Sequence, residues 1–501
     1  ENMKMPIETA LKTGKIVEGT ICYTGDITDP NETKYTLDYY VKKAKELESL
    51  GVHIFTIKDM AGLVKPYAAK KLISALKEEL NIPVNLHTHD STGNGVSTLL
   101  MASEAGLDIA DCAIGSMSSM TSNPCMNSLV EALKGTERDT GLDTDELTEL
   151  SQYYARIRPI YKQFESGMDA PNTEIYKYEI PGGQYSNLLA QVKEMGAAED
   201  FEEIKGLYKD ANQLLGNIVK VTPSSKVVGD FAIFMFKNGL TKENILEVGK
   251  DLSYPDSVVE YFEGMIGQPE GGFPEELQKI VLKDKKPISV RPGSLLPDED
   301  FDYIAKGLKE NFYMDNMEDP DVLSQKVLSY ALYPKVYEDY CRHFEAYNDV
   351  TGLESHVYFY GLRKGEETTL RLDEGKDLII KFIDMTEPDK DGYRLLDFEV
   401  NGSIREIKVL DKNLEVKTDG RVKADKSNPA HLGSTIPGTV GKVLVNEGDE
   451  VTVNMPLMTV EAMKMETTVV STVNGKVDKI YVKEGEQVNQ EDLLISFEID
   501  E

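Results

Sequence analysis

The 501-residue sequence predicts a multidomain α/β protein. Three observations carry that prediction. Strand and helix signals alternate through residues 1–140, strand-rich text returns after a long helical stretch, and the C-terminal segment repeats itself.

Val17–Tyr23 is a strand-like run ended by Thr24-Gly25-Asp26, and Tyr35–Leu50 then shows helical spacing up to Gly51. Val52–Ile57 and Tyr67–Leu80, Val84–His89 and Gly95–Ala105, and Leu107–Ile114 and Asn127–Leu133 repeat the pattern. Strands alternating with helices in this way imply βαβ units and a parallel sheet. Four units fall short of the eight of a closed (β/α)8 barrel, so residues 1–140 are an open sheet or half a barrel. Residues 141–350 are mostly helical, with Glu146–Phe164, Ser186–Met195, Asp200–Leu215, Lys226–Asn238 and Val322–Tyr347 as helices. Residues 351–420 form a small β-rich domain with strands Val357–Tyr360, Thr368–Leu372, Asp377–Ile383, Arg394–Val400 and Ser403–Val409. Residues 421–435 are polar, contain Pro429 and Gly433, and read as a linker to a final domain at 436–501.

The formal net charge of −32 repels phosphate backbones and anionic lipid, which argues against nucleic acid and membrane as partners. No run approaches the roughly 18–20 apolar residues of a membrane helix. The four cysteines make no CxxC pair, so a reducing intracellular setting is expected. The first residue is Glu1, and the sequence is expected to be part of a longer translation product.

In the last domain, Gly438–Val451 matches Gly475–Val488 at an offset of 37 residues, and the register extends to Leu457/Leu494 and Glu461/Glu498. Two similar short-stranded halves imply a quasi-two-fold β sandwich. Lys464 lies between the halves, in Val460-Glu-Ala-Met-Lys-Met-Glu466, and the symmetry puts it at a hairpin tip. An amine on a flexible stem at such a tip accepts an acyl group without disturbing packing. An ordinary surface lysine in a polar turn is the plainer alternative.

His87 and His89 alternate in Leu86-His-Thr-His-Asp90, so they share one face of a strand near its C-terminal end, where barrel active sites are built. Neutral imidazoles there suit zinc and neighbouring transition metals, or form a pair of hydrogen-bonded structural histidines. The preceding strand ends in Lys58-Asp59. A free ammonium cannot ligate a metal, so by composition Asp59 is the better candidate and Lys58 serves only if carbamylated. In Lys220-Val-Thr-Pro-Ser-Ser-Lys226, Thr222 or Ser224 has the place of a helix N-cap.

Glu461-Ala-Met-Lys-Met465 resembles a biotin carboxyl carrier domain, over residues 436–498; a lipoyl domain shares the architecture, but its lysine stands in Asp-Lys-Ala. Ile57–Leu63, His87–Asp90, Ser116–Ser122 and Ile180–Tyr185 together resemble the carboxyltransferase domain of the pyruvate carboxylase family. The resemblance implies biotin on Lys464, and a divalent metal (zinc or manganese) held by carbamylated Lys58, His87 and His89. It implies a proton relay through Thr222, with Ser225 and Lys226 near the biotin ring. The fold implied is a (β/α)8-type carboxyltransferase barrel, of which the four βα units are the second half, with a helical extension, a tetramerisation domain at 351–420 and the biotinyl domain. The family's fourth metal ligand, an Asp on the first strand, and its substrate-binding Arg and Gln have no match here.

The activity implied is biotin-dependent carboxyl transfer from carboxybiotin to pyruvate, giving oxaloacetate. The implied partners are the ATP- and Mg-dependent biotin carboxylase part, the N-terminal barrel half, biotin protein ligase and sister chains of a homotetramer. Tyr330–Tyr340 and Tyr358–Leu362 favour single-chain pyruvate carboxylase over the α subunit of the oxaloacetate decarboxylase sodium pump or methylmalonyl-CoA transcarboxylase. A reading of another class is a non-catalytic carrier and assembly module. This chain alone is not expected to carboxylate pyruvate. A bacterial-type cytoplasmic location is expected, with the mitochondrial matrix as the alternative.

Overall fold

The computed structural model describes residues 3–165, 167–312, 317–411, 422–425, 428–434, 438–462, 465–489 and 491–499. The chain forms two compact units, Glu1–Ser294 with Arg421–Glu501, and Leu295–Gly420.

After the helix Lys4–Lys12, the first unit has four parallel strands hydrogen-bonded in chain order: β1 (Glu18–Cys22), β2 (Ile54–Asp59), β3 (Val84–Thr88) and β4 (Ile109–Ala110). Helices Leu37–Ser49, Pro66–Glu79, Gly95–Glu104 and Met126–Leu133 alternate with them. Thr36 starts the Leu37 helix by accepting the Tyr39 N–H, and Pro66 starts the next, where a missing N–H costs nothing. β4 is shorter than the expected Leu107–Ile114. The chain leaves the ladder after the Asp111 N–H reaches the Leu86 carbonyl, and Ala113 then bridges to Cys125.

One face of this sheet is apolar. Phe55, Ile57, Val84 and Leu86 are fully buried against Leu72, Leu76 and Leu99 of the covering helices. The alternate positions are polar: Glu18, Thr56, Lys58, Asn85 and His87. Glu18 accepts from the Thr56 hydroxyl and the Asn85 amide, and Asn85 also donates to Asp111 (3.3 Å). A parallel sheet covered on both faces is apolar on both. This alternation instead leaves one face for chemistry.

Helices Gly182–Glu194, Phe201–Leu214, Ser224–Lys237, Asp256–Glu263 and Glu275–Leu282 follow, around a second core. The Ser224 helix is its centre, with Val228, Phe231, Ala232, Ile233 and Met235 fully buried.

In the second unit, helices Phe301–Asn311, Pro320–Leu332 and Pro334–Tyr347 enclose Leu308, Val327, Tyr337 and Cys341. Pro334 divides the helical pattern expected over Val322–Tyr347. An antiparallel meander follows, β5 (Glu367–Asp373), β6 (Lys376–Met385), β7 (Tyr393–Val400) and β8 (Ser403–Leu410). The expected strand Val357–Tyr360 is instead a helix, Ser355–Tyr360, closed by the Gly361 N–H on the Val357 carbonyl (2.9 Å). Its run of aromatics is too short for periodicity to separate one helical turn from a strand.

The C-terminal part of the first unit is a two-sheet sandwich. Its strands are β9 (His431–Gly433), β10 (Gly438–Val443), β11 (Glu450–Val451), β12 (Pro456–Ala462), β13 (Met465–Val470), β14 (Gly475–Ile480), β15 (Gln487–Val488) and β16 (Leu493–Ile499). The sheets run β13-β12-β10-β15 and β11-β14-β16-β9. The offset of 37 maps β10, β11 and β12 onto β14, β15 and β16. It also maps β9 onto the end of β13: Thr459↔Thr468 in one sheet corresponds to Ser496↔His431 in the other. The two-fold therefore reaches into 421–435, the segment expected to be only a linker. Residues 431–433 do not resemble 468–470 in side chains, so only the pairing discloses the match. Leu457, Met458, Val460, Leu494 and Ile495 fill the space between the sheets.

Candidate active site

Lys58 pairs in register with Cys22 on β1 and His87 on β3, so its side chain belongs to the polar face. The His87 and His89 rings lie edge to face with centroids 5.5 Å apart. Each ring is oriented through Nδ1. His89 Nδ1 lies 2.6 Å from the Thr121 carbonyl, an acceptor only, so Nδ1 carries the proton and Nε2 keeps its lone pair. Burial lowers the His89 pKa, which favours the neutral ring. His87 Nδ1 lies 2.9 Å from Asp111 Oδ2, and that hydrogen bond holds the Asp111 carboxyl below the ordinary range.

This donor set fits a metal ion. The outer hydrogen bonds to a carboxylate and a carbonyl are those that orient metal-bound imidazoles. Among the described residues, no three His, Cys, Asp or Glu side chains cluster as a metal site, so a third donor beside the two imidazoles would have to be another kind of group; Lys58 stands in register beside His87. Asp59 is not that donor. It points to the opposite face, is fully buried, and accepts from the Leu63 N–H (2.9 Å), the Val64 N–H (2.8 Å) and the Thr88 hydroxyl (2.9 Å). Its work is to fold the loop after β2.

That loop crosses directly over His89. Gly62 has φ +73°, and a β-carbon there would lie 2.6 Å from the His89 carbonyl oxygen. The Ser116–Ser122 segment supplies the Thr121 carbonyl, and it is pinned by Asp90 N–H to Ser122 O (2.8 Å) and Ser91 Oγ to Met120 O (3.0 Å). The Ile180–Tyr185 turn closes the other side: the Gly182 N–H donates to the Met60 carbonyl (2.8 Å), and a β-carbon on Gly182 would lie 3.0 Å from His89 Nδ1. Gln184 in turn lies against Gly229 of the Ser224 helix.

The second group of candidates is on the segment entering that helix. Lys220 is 1% exposed, and its Nζ lies 2.7 Å from Glu179 Oε2 and 3.2 Å from Thr24 Oγ1, just beyond β1. The Thr222 segment is thereby tied to the strand ends. Pro223, not Thr222 or Ser224, is the N-cap residue, and it lacks a side-chain cap. The Ser224 hydroxyl turns back onto the Val219 and Val221 carbonyls (2.6 Å each). Thr222 is exposed, which leaves its hydroxyl for other work; Ser225 is buried. Lys226 Nζ stands 3.9 Å from Asp230 Oδ2. Asp230 is buried, accepts from Ser257 Oγ at 2.6 Å, and is pushed up to about 6 by burial. Lys464 lies outside the described residues; the last pair of the β12–β13 hairpin, Ala462↔Met465, flanks it.

Sequence reasoning misses Asp111, Lys220 and Asp230. Asp111 had a readable signal, an acid at the end of the strand beside the HxH strand. The other two act through contacts made 41 and 27 residues away in sequence.

Three family models match the chain: "HMGL-like" over 21–153, "Conserved carboxylase domain" over 175–381 and "Biotin-requiring enzyme" over 429–497. The solved carboxyl transferase domain of Rhizobium etli pyruvate carboxylase is 42% identical with TM-score 0.76, the match covering 82% of this chain and 68% of that one. The chain belongs to the pyruvate carboxylase family. The complete R. etli enzyme matches at 40% identity and TM-score 0.75, over 99% of this chain and 45% of that one. Pyruvate carboxylase of Bacillus subtilis is 48% identical over 99% of this chain, and the mitochondrial enzyme of mouse 39% over 99%. The chain spans less than half the length of these curated relatives, 43% and 42%. Its fold is accordingly the family's: carboxyltransferase-type α/β architecture followed by a biotinyl-type β domain.

Proposed function

We propose that this chain performs biotin-dependent carboxyl transfer to pyruvate, giving oxaloacetate, as part of an ATP-dependent pyruvate carboxylase. One observation carries the reading: a single chain joins a carrier hairpin flanking Lys464 to a strand-end cluster of Lys58, His87 and His89, with the Thr222 segment tied through Lys220 to Thr24 just beyond β1. Relatives solved with pyruvate, and with pyruvate and biocytin, support the acceptor and the cofactor.

In this reading Lys464 carries the biotin. Lys58 (carbamylated), His87 and His89 hold a divalent metal, zinc or manganese, which when bound supplies Lewis-acid polarisation of the acceptor carbonyl. Asp111 and the Thr121 carbonyl keep both imidazoles turned for that task. The Thr222 hydroxyl donates and accepts at once, so it passes a proton from the pyruvate methyl group toward the biotin nitrogen. Ser225 and Lys226 orient the biotin ring, and Lys220 with Glu179 fixes the segment bearing all three. The tether makes delivery effectively intramolecular.

The remaining parts of the reading are the family's biotin carboxylase portion with ATP and Mg, the other barrel half, biotin protein ligase as modifying enzyme, and a homotetramer. Among the described residues, no helix is long and apolar enough to cross a membrane. The free cysteines support a cytoplasmic setting.

The test uses full-length enzyme containing this chain. Thr222→Ala should lower oxaloacetate formation about 10²–10⁴-fold while bicarbonate-dependent ATP cleavage persists. Unchanged oxaloacetate formation would remove Thr222 from the reaction. Lys464→Arg should abolish avidin capture; capture of the variant would assign the biotin elsewhere.

A further inference from the structure

The two imidazoles are turned by different devices. Asp111, which holds His87, is a rotatable side chain 41% exposed. His89 is held by a backbone carbonyl, and that carbonyl is one of three. Met120, Thr121 and Ser122 present successive carbonyls to residues 89–91. Met120 O accepts from Ser91 Oγ (3.0 Å), Thr121 O from His89 Nδ1 (2.6 Å) and Ser122 O from the Asp90 N–H (2.8 Å). Asn123 adds a fourth tie, from its amide to the Thr88 carbonyl (2.9 Å).

Successive carbonyls of an extended chain alternate in direction, so a fan of this kind needs a special backbone. Ser119 and Met120 supply it, with φ +73° and +54°. Among the described residues, no other two adjacent non-glycine residues are both left-handed. The turn is closed by the Ser119 N–H on Asn123 O and the Ser122 N–H on Ser119 O, 2.9 Å each. Left-handed backbone is unfavourable for L side chains and persists only where its surroundings over-determine it. Here they do: residues 88–91 hold the fan, and a β-carbon on Gly182 would lie 3.2 Å from the Thr121 oxygen and 3.4 Å from Thr121 Cα.

We propose that the left-handed Ser119–Met120 turn is a positioning element of the candidate active site, whose fan of carbonyls locks the His89 ring before any metal ion arrives. Ring order is then built in during folding and is not lost again on metal binding. His87, on a side-chain partner, keeps the freedom to adjust. The benefit to metal binding rests on the function proposed above; the locking of the ring does not.

The experiment uses the whole chain, metal-free and labelled with ¹⁵N-histidine. Long-range ¹H–¹⁵N spectra report which ring nitrogen carries hydrogen, and His89 is assigned by loss of its signals in His89→Gln. The wild type should show His89 as a single tautomer with hydrogen on Nδ1. Ser119→Val and Met120→Val place β-branched residues where they are strongly disfavoured and should give a mixture of tautomers. Ser119→Asn and Met120→Leu should restore the single form, since Asn tolerates left-handed backbone and Leu is unbranched at Cβ. Ser91→Ala keeps the backbone and removes only the tie to Met120, so it serves if the valine variants do not fold; it too should give a mixture. In zinc competition against a chromophoric chelator, the variants with mixed tautomers should bind about 10–100-fold more weakly. Mixed tautomers in the wild type, or a single Nδ1–H tautomer in Ser91→Ala and in every valine variant that folds, overturns the proposal. A wild type that shows the single tautomer and binds no zinc upholds the turn and removes the metal from the proposed function.

Discussion

Replacing Asp230 by Asn should stabilise the first unit at neutral pH and leave it almost unchanged near pH 4. The carboxyl is 2% exposed and is pushed from 3.8 up to about 6, burial outweighing the Ser257 hydrogen bond and the attraction of Lys226. A raised carboxyl pKa means the folded state favours the protonated form. Its contribution is fully present below the unfolded value near 3.8 and is lost as pH rises through about 6. At about 1.36 kcal/mol per unit, a gap of roughly two units costs the wild type about 3 kcal/mol above pH 6. The amide of Asn does not titrate, and its oxygen still accepts from Ser257. The difference between variant and wild type should therefore grow from near zero at pH 4 to at most about 3 kcal/mol at pH 7. Urea unfolding at several pH values, followed through tyrosine since the chain has 25 Tyr and no Trp, measures it. A difference that does not change with pH, or an Asn variant less stable at pH 7, would refute the argument that burial dominates at Asp230.

Asp111→Asn should weaken zinc binding by this chain about 10–100-fold, because His87 loses the carboxylate that orients it; competition with a chromophoric chelator reads the affinity. Gly62→Ala should cost about 1–2 kcal/mol for its left-handed backbone alone and should also lower zinc affinity, since His89 must move; a melting curve paired with the same titration checks both. Lys220→Met removes the partner of Glu179, which is 31% exposed and can turn to water, and should cost about 1–2 kcal/mol, seen as a lower urea midpoint.

The four βα units and the repeat were legible because both write themselves periodically: apolar residues recur at helical or strand spacing, and Gly438–Val451 restates itself at Gly475. The HxH spacing likewise disclosed that His87 and His89 share a face. What stayed hidden was decided by pairing or by distant contact. Composition favours Asp59 over Lys58 as a ligand, yet the fold turns Asp59 into the loop it caps and leaves Lys58 beside His87. Nothing in Asn428–Gly433 announces a strand; β16 makes it one. Lys220 and Asp230 look like ordinary charges until Glu179 and Ser257 arrive from elsewhere in the chain.

The sandwich has a consequence for its ancestry. β10 pairs with β15 and β12 with β13, while β11 pairs with β14 and β9 with β16, so each half lends two strands to the sheet built by the other. A solitary half would leave an open ladder edge and an uncovered apolar face, and could close both only by meeting a twin. A peptide covering one half should therefore assemble as a strand-exchanged homodimer. A gene that fused two such copies end to end would have placed the new junction between β12 and β13, the point in the sequence where Lys464 stands.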